Sequence, residues 1–173
     1  MSLIQTDPTD SKTIYAIAPS CLSTSVDQGA NWSPCSRAPG LKSGSGTFVD
    51  LLIKDSSTMV LLRNGDVPLR TRDGGKTWIA LAAATGKIPK GGMSAGSYSW
   101  SGKTLVVHGR DMSAPARGEY AGYVVKSRDD GDSWIVETGD IVTMAVNSGT
   151  WFDQDFYLTT SGEGILAKRN FDS

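Results

Sequence analysis

The chain has 173 residues, the size of one domain, with 17 basic and 18 acidic side chains and a formal net charge of −1. That balance excludes an electrostatic case for nucleic acid or an anionic membrane surface, and no apolar run approaches the ~20 residues a membrane helix needs. Twenty glycines, abundant Ser and Thr and a lack of long helical periodicity predict an all-β chain of many short strands and turns.

In chain order, "MSLIQTDPTD" carries neither the charged nor the apolar region of a secretion signal and enters strand-like sequence directly. The first turn cluster is "SVDQGANW", Ser25 to Trp32. Cys21 and Cys35 lie six residues before and eight after Asp27. In an antiparallel hairpin they would sit opposite each other, within disulfide reach. A disulfide favours an extracellular or periplasmic compartment; two reduced, half-buried thiols are the open alternative. "RNGD" at 63–66 is a tight-turn signal, and "TRDGGKTW", Thr71 to Trp78, follows it. The Ala-rich piece "IALAAATG" is short and follows a Trp-led strand.

"TLVVHGR" reads as an inner strand. It carries His108, the only His, expected as a packed structural residue with a general base as the alternative. One His and no Cys cluster argue against a metal site. Neither the Gly-rich segment at 40–46 nor Gly91-Gly92 matches a phosphate loop, so no cofactor is expected. "DMSAPARGEYA" reads as a loop. In "GYVVKSRDDGDSWIVET" an apolar strand runs into a turn cluster and resumes at Trp134. The final "GILAKRNFDS" parallels "GYVVKSRDDG", with Phe171 where the turn Asp would stand.

"SVDQGANW", "TRDGGKTW" and "SRDDGDSW" are one pattern: Ser/Thr, any, Asp, any, Gly, any, Ser/Thr/Asn, Trp. Each position has a structural task. The hydroxyl residues Ser25, Thr71 and Ser127 and the acids Asp27, Asp73 and Asp129 bond locally to the backbone. Gly29, Gly75 and Gly131 can take positive φ. Trp32, Trp78 and Trp134 supply large faces, expected to be buried between neighbouring sheets. The three acids lie 46 and 56 residues apart. Propeller blades of four strands recur at about 40–50 residues, and the loop after Asp111 lengthens the second interval.

These three boxes resemble the Asp-box family, also called BNR or bacterial neuraminidase repeats, of the sialidase-like superfamily; box one departs only at Asn31. The family includes sialidases, xyloglucan-degrading enzymes, sortilin-like receptors and photosystem assembly factors, so it implies a fold and no single activity. The resemblance implies a β-propeller of four-stranded antiparallel blades at approximately 1–38, 46–84, 94–139 and 141–173, the last incomplete. They form one domain or a fragment of a larger propeller. It also implies that ligands bind on the face opposite the boxes.

Loops on that face carry Arg63, Arg110 and Arg117 as ligand-binding candidates and Asp111, Glu119 and Tyr120 as catalytic candidates, matched to sialidase sites by residue type. The Arg-Ile-Pro motif usual in sialidases is missing. The expected function is therefore a non-catalytic recognition or assembly module that binds a glycan or a protein. The alternative is a portion of a glycoside hydrolase of sialidase or xyloglucanase type, and a third reading is a receptor-like or phage-surface propeller piece. An incomplete last blade would leave apolar faces uncovered, so a homo-oligomer or a missing remainder is expected.

Overall fold

The computed structural model describes residues 3–37, 47–89, 92–112, 121–139 and 145–173. Over these residues the chain is all-β, with a short 3-10 turn at Ala82–Ala84. It divides into two compact units, Met1–Leu81 and Ala82–Ser173.

The first unit holds two antiparallel meanders. One consists of β1 (Leu3–Thr6), β2 (Ile14–Ala18) and β3 (Cys21–Ser25). The other consists of β4 (Thr47–Ile53), β5 (Met59–Asn64), β6 (Leu69–Thr71) and β7 (Ile79–Ala80). In β2 alternate residues Tyr15 and Ile17 point into the core, as the period of two in "IYAIA" demands. In β5 the whole run from Met59 to Arg63 is buried, which fits a strand covered on both faces. Tyr15, Ile17, Phe48, Leu51, Met59, Leu61, Leu69 and Trp78 close into one cluster.

The second unit repeats the plan. Its first sheet is β8 (Met93–Tyr98), β9 (Leu105–Asp111), β10 (Ala121–Ser127) and β11 (Ile135–Val136). Its second is β12 (Val146–Phe152), β13 (Asp155–Thr160) and β14 (Gly164–Lys168). The core joins Val106 and Val124 to Val146, Trp151, Phe156, Leu158 and Phe171. Phe156 lies 4.9 Å from Trp151 and 6.0 Å from Phe171, centroid to centroid. Phe171 thus departs from the box pattern because its ring is a core group.

Two expectations need correction. "NWSPC" forms no fourth strand in the first sheet; a single bridge joins Leu22 to Ser36. Pro34 has no N–H to donate, so a continuous ladder is impossible there. The segment is pinned instead by a Cys21–Cys35 disulfide, with Cα atoms 5.5 Å apart, and by the Ser33 N–H donating to the Thr24 carbonyl at 2.9 Å. The box tryptophans also differ. Trp78 and Trp134 are 7% and 3% exposed, but Trp32 is 42% exposed, beside the segment that forms no strand.

Box two lies on the β6–β7 hairpin and box three on the β10–β11 hairpin, while box one follows β3. The β5–β6 connection, the end of β9, and the starts of β8, β10 and β12 therefore lie at the opposite end of their sheets.

Candidate functional site

The three boxes form the same ring of hydrogen bonds. The hydroxyls of Ser25, Thr71 and Ser127 donate to the Oδ1 atoms of Asp27, Asp73 and Asp129 at 2.8, 2.7 and 2.7 Å. The same hydroxyls accept the N–H groups of Gly29, Gly75 and Gly131 at 2.8, 2.9 and 2.7 Å. Each Oδ1 also accepts the N–H of residue Asn31, Thr77 or Ser133. Each Oδ2 takes the side chain of that same residue, at 2.7, 2.6 and 2.6 Å. The glycines sit at φ 90, 87 and 93°, where a Cβ would be strained.

Bonds from the Thr77 side chain and backbone, then from Thr71, hold the Asp73 carboxyl down at about 2. Asp27 is lowered in the same way, first by Asn31. At Asp129 burial pushes upward, but bonds from Ser133 and Ser127 outweigh it. All three acids are turn acceptors. Trp32 and Trp78 complete the ring by donating Nε1–H to the carbonyls of Gly29 and Gly75, whereas Trp134 Nε1 is buried without a partner.

At the other end of the second unit, β8, β9 and β12 surround a small cavity of about 100 Å³, lined by Ser94, Ala95, His108, Gly109, Arg110, Val146 and Asn147. Cross-strand pairing sets Ser94 beside Gly109 and Tyr123 on the far side of Gly109. The hydroxyls of Ser94 and Tyr123 share a short hydrogen bond. Burial pushes the Tyr123 hydroxyl up to about 12. The Arg110 guanidinium donates to Asn147 Oδ1 at 3.2 Å, and the Asn147 amide donates to Ser161 at 3.0 Å. His108 is 2% exposed, its Nδ1 is buried without a hydrogen bond, and its ring lies 5.9 Å from Phe156. Burial lowers its pKa to about 4, so the imidazole is neutral at physiological pH. The Arg110 guanidinium and the Asn147 amide stand at this narrow opening, bonded to each other and on to Ser161.

The sequence-derived candidates are dispersed. Arg110 lines this cavity, and Asp111 follows it at the end of β9. Arg63 is at the corresponding end of the first unit. It is buried, donates through Nε to the Val67 carbonyl at 3.0 Å and pairs with Asp66 at 3.3 Å, which clamps the β5–β6 turn. Arg117, Glu119 and Tyr120 lie outside the described residues. Ser94 and Asn147 escaped sequence reasoning because no local motif marks them; they meet His108 only through strand pairing and sheet packing. Among the described residues no group of three or more His, Cys, Asp or Glu could hold a metal, and no helix is long and apolar enough to cross a membrane.

No protein-family model matches the chain, and no curated protein does. Solved structures do. YCF48 from Cyanidioschyzon merolae matches with a TM-score of 0.66 at 14% identity, over 95% of this chain and 52% of that one. The fold is that of a β-propeller. The propeller is similar too to the GH74 enzyme of Niastella koreensis, with a TM-score of 0.64 at 14% identity over 96% of this chain and 22% of the enzyme. The GH74 xyloglucanase of Xanthomonas campestris gives 0.64 at 16% identity, over 97% and 28%. The chain thus spans about half the length of the YCF48 chain and a smaller share of both enzymes. Four antiparallel sheets of three or four strands, among the described residues, correspond to part of such a propeller.

Proposed function

We propose that this chain is a non-catalytic recognition or assembly module of the Asp-box, sialidase-like kind, and that it binds a protein or glycan ligand at the ends of its sheets away from the boxes. The observation that carries this reading is the Ser94–His108–Arg110–Asn147 cavity. Its volume of about 100 Å³ is well below the roughly 300–1,000 Å³ of pockets that enclose a small molecule. It fits one acceptor group presented from outside, such as a carboxylate or carbonyl on a larger partner. Arg110 and Asn147 would hold that group, and neutral His108 would form the wall.

The repeat supports the Asp-box assignment, since its three rings use the same atoms in the same roles. The disulfide supports an oxidising compartment, extracellular or periplasmic. A homo-oligomer or a remainder of a longer chain is proposed to cover the three-stranded sheets.

The test has two arms. Peptides with a free C-terminal carboxylate and acidic oligosaccharides are titrated against the chain and its Arg110→Ala variant; binding that weakens about tenfold in the variant supports the reading. Fluorogenic glycosides and xyloglucan are incubated with the chain in parallel. Turnover that disappears in Asp111→Asn would replace this reading with the second one, a portion of a glycoside hydrolase of sialidase or xyloglucanase type. In that reading Asp111, with Glu119 and Tyr120, would act on substrate.

A further inference from the structure

The box end of the second unit carries a different surface. Trp100 is 73% exposed and Phe152 is 66% exposed, yet their rings meet edge to face, with centroids 6.4 Å apart and planes at 67°. Neither ring belongs to the core cluster. Beside them opens a cleft of about 410 Å³, lined by Trp100, Ser101, Lys103, Asp153, Gln154, Asp172 and Ser173. That volume falls in the range of small-molecule sites.

The cleft is built on tied turns. Trp100 rides on the β8–β9 turn, closed by the Ser99 N–H to the Thr104 carbonyl at 2.8 Å and the Gly102 N–H to the Ser99 carbonyl at 2.8 Å. Phe152 opens the β12–β13 turn, where Asp153 takes φ 54°. The Gln154 carbonyl accepts N–H groups from Phe171 and Asp172 at 2.7 and 3.1 Å, which fixes the tail against that turn. Ser101 then donates to Asp172 Oδ2 at 2.6 Å, tying the tail to the Trp100 turn. Phe171, the residue before Asp172, is itself buried in the core cluster.

We infer that this cleft binds a neutral sugar residue of a glycan, with its apolar C–H face on the Trp100–Phe152 corner and its hydroxyls on Lys103, Asp153 and Gln154. A sugar ring is the ligand class that offers an apolar face and a polar rim at this scale. The aromatic corner matches the face, because the negative face of an aromatic ring attracts polarised C–H groups. A carboxylate accepts two hydroxyls, an ammonium donates to lone pairs and an amide does both, so the rim can be matched. Two acids against one lysine disfavour an anionic sugar or a nucleic acid. A protein partner would need roughly 800 Å² of surface with an apolar centre, whereas the apolar part of this cleft is the Trp100 ring, with Phe152 against it, set among charged and amide groups. The inference does not depend on the cavity at the opposite end.

The experiment is calorimetric titration of the chain with cellohexaose, xylohexaose, maltohexaose and a galacturonic acid hexamer, each to about 10 mM, well above the 1 mM that marks weak binding. Saturable binding of at least one neutral hexamer is expected. Trp100→Ala should weaken it about tenfold or more while Trp100→Phe retains most of it, since stacking needs a ring and not an indole. Urea midpoints measured alongside confirm that the variants fold. Four results overturn the proposal: no saturable response to any neutral hexamer, binding of the acidic hexamer alone, equal affinity in Trp100→Ala, or a dimer that Trp100→Ala makes monomeric. The last would make the aromatic corner an interface between copies of the chain.

Discussion

Gly149 passes directly against His108: a Cβ at Gly149 would lie 2.8 Å from His108 Nε2 and 2.5 Å from Phe156 Cζ. The close approach lets β12 pack against β9. Gly149→Ala should therefore overpack this junction and destabilise the chain by about 1–3 kcal/mol. A lowered urea midpoint checks it; an unchanged midpoint would mean that the two sheets can separate without cost.

His108 makes stability depend on pH. Its folded pKa of about 4 lies below the ordinary 6.5, because burial penalises the imidazolium. The unfolded chain therefore binds a proton that the folded chain refuses. Stability is full above about pH 6.5 and is lost as pH falls towards 4, by about 3 kcal/mol over the interval. His108→Leu should flatten the urea midpoint between those pH values, and an unaltered profile would sink the assignment.

The box carboxylates act in a lower window with the same sign. Asp73 is held at about 2 against an ordinary 3.8. Its contribution is present above the ordinary value and disappears as pH falls through the folded one. Asp73→Asn should make acid unfolding, followed by Trp fluorescence, shallower between about pH 4 and 2.

The tryptophans should rank by burial. Trp78→Ala should cost about 3–5 kcal/mol, the range for truncating a buried aromatic. Trp32→Ala should cost far less, because its ring is 42% exposed. Equal shifts in urea midpoint would show that Trp32 is covered in solution.

The Cys21–Cys35 bridge closes a loop with a sequence separation of 14. Removing it by Cys21→Ser with Cys35→Ser should destabilise the chain by about 3 kcal/mol or less. The same change should free the segment after Trp32, seen as faster amide exchange at Ser33 and Ser36.

The boxes were legible in the sequence because their physics is local. Ser127, Asp129, Gly131 and Ser133 meet within one turn, so residue type and spacing are enough to specify every bond. The strands were legible for a similar reason, since alternation and continuous apolar runs record which faces are covered. Where local chemistry opposed the repeat, the repeat lost: Pro34 removed the donor that a fourth strand in the first sheet required.

Tertiary structure decided the rest. Arg63 and Arg110 are alike in sequence, both basic residues at strand ends. Arg63 became a clamp on its own turn, while Arg110 reached Asn147 from 37 positions away. His108 met Gly149, and Trp100 met Phe152, only because separate sheets and turns were brought together. A turn's hydrogen bonds are set by residues within a few positions of each other, so sequence by itself determines them. A cavity or a cleft is the space left between elements that pack, and no single stretch of chain contains that information.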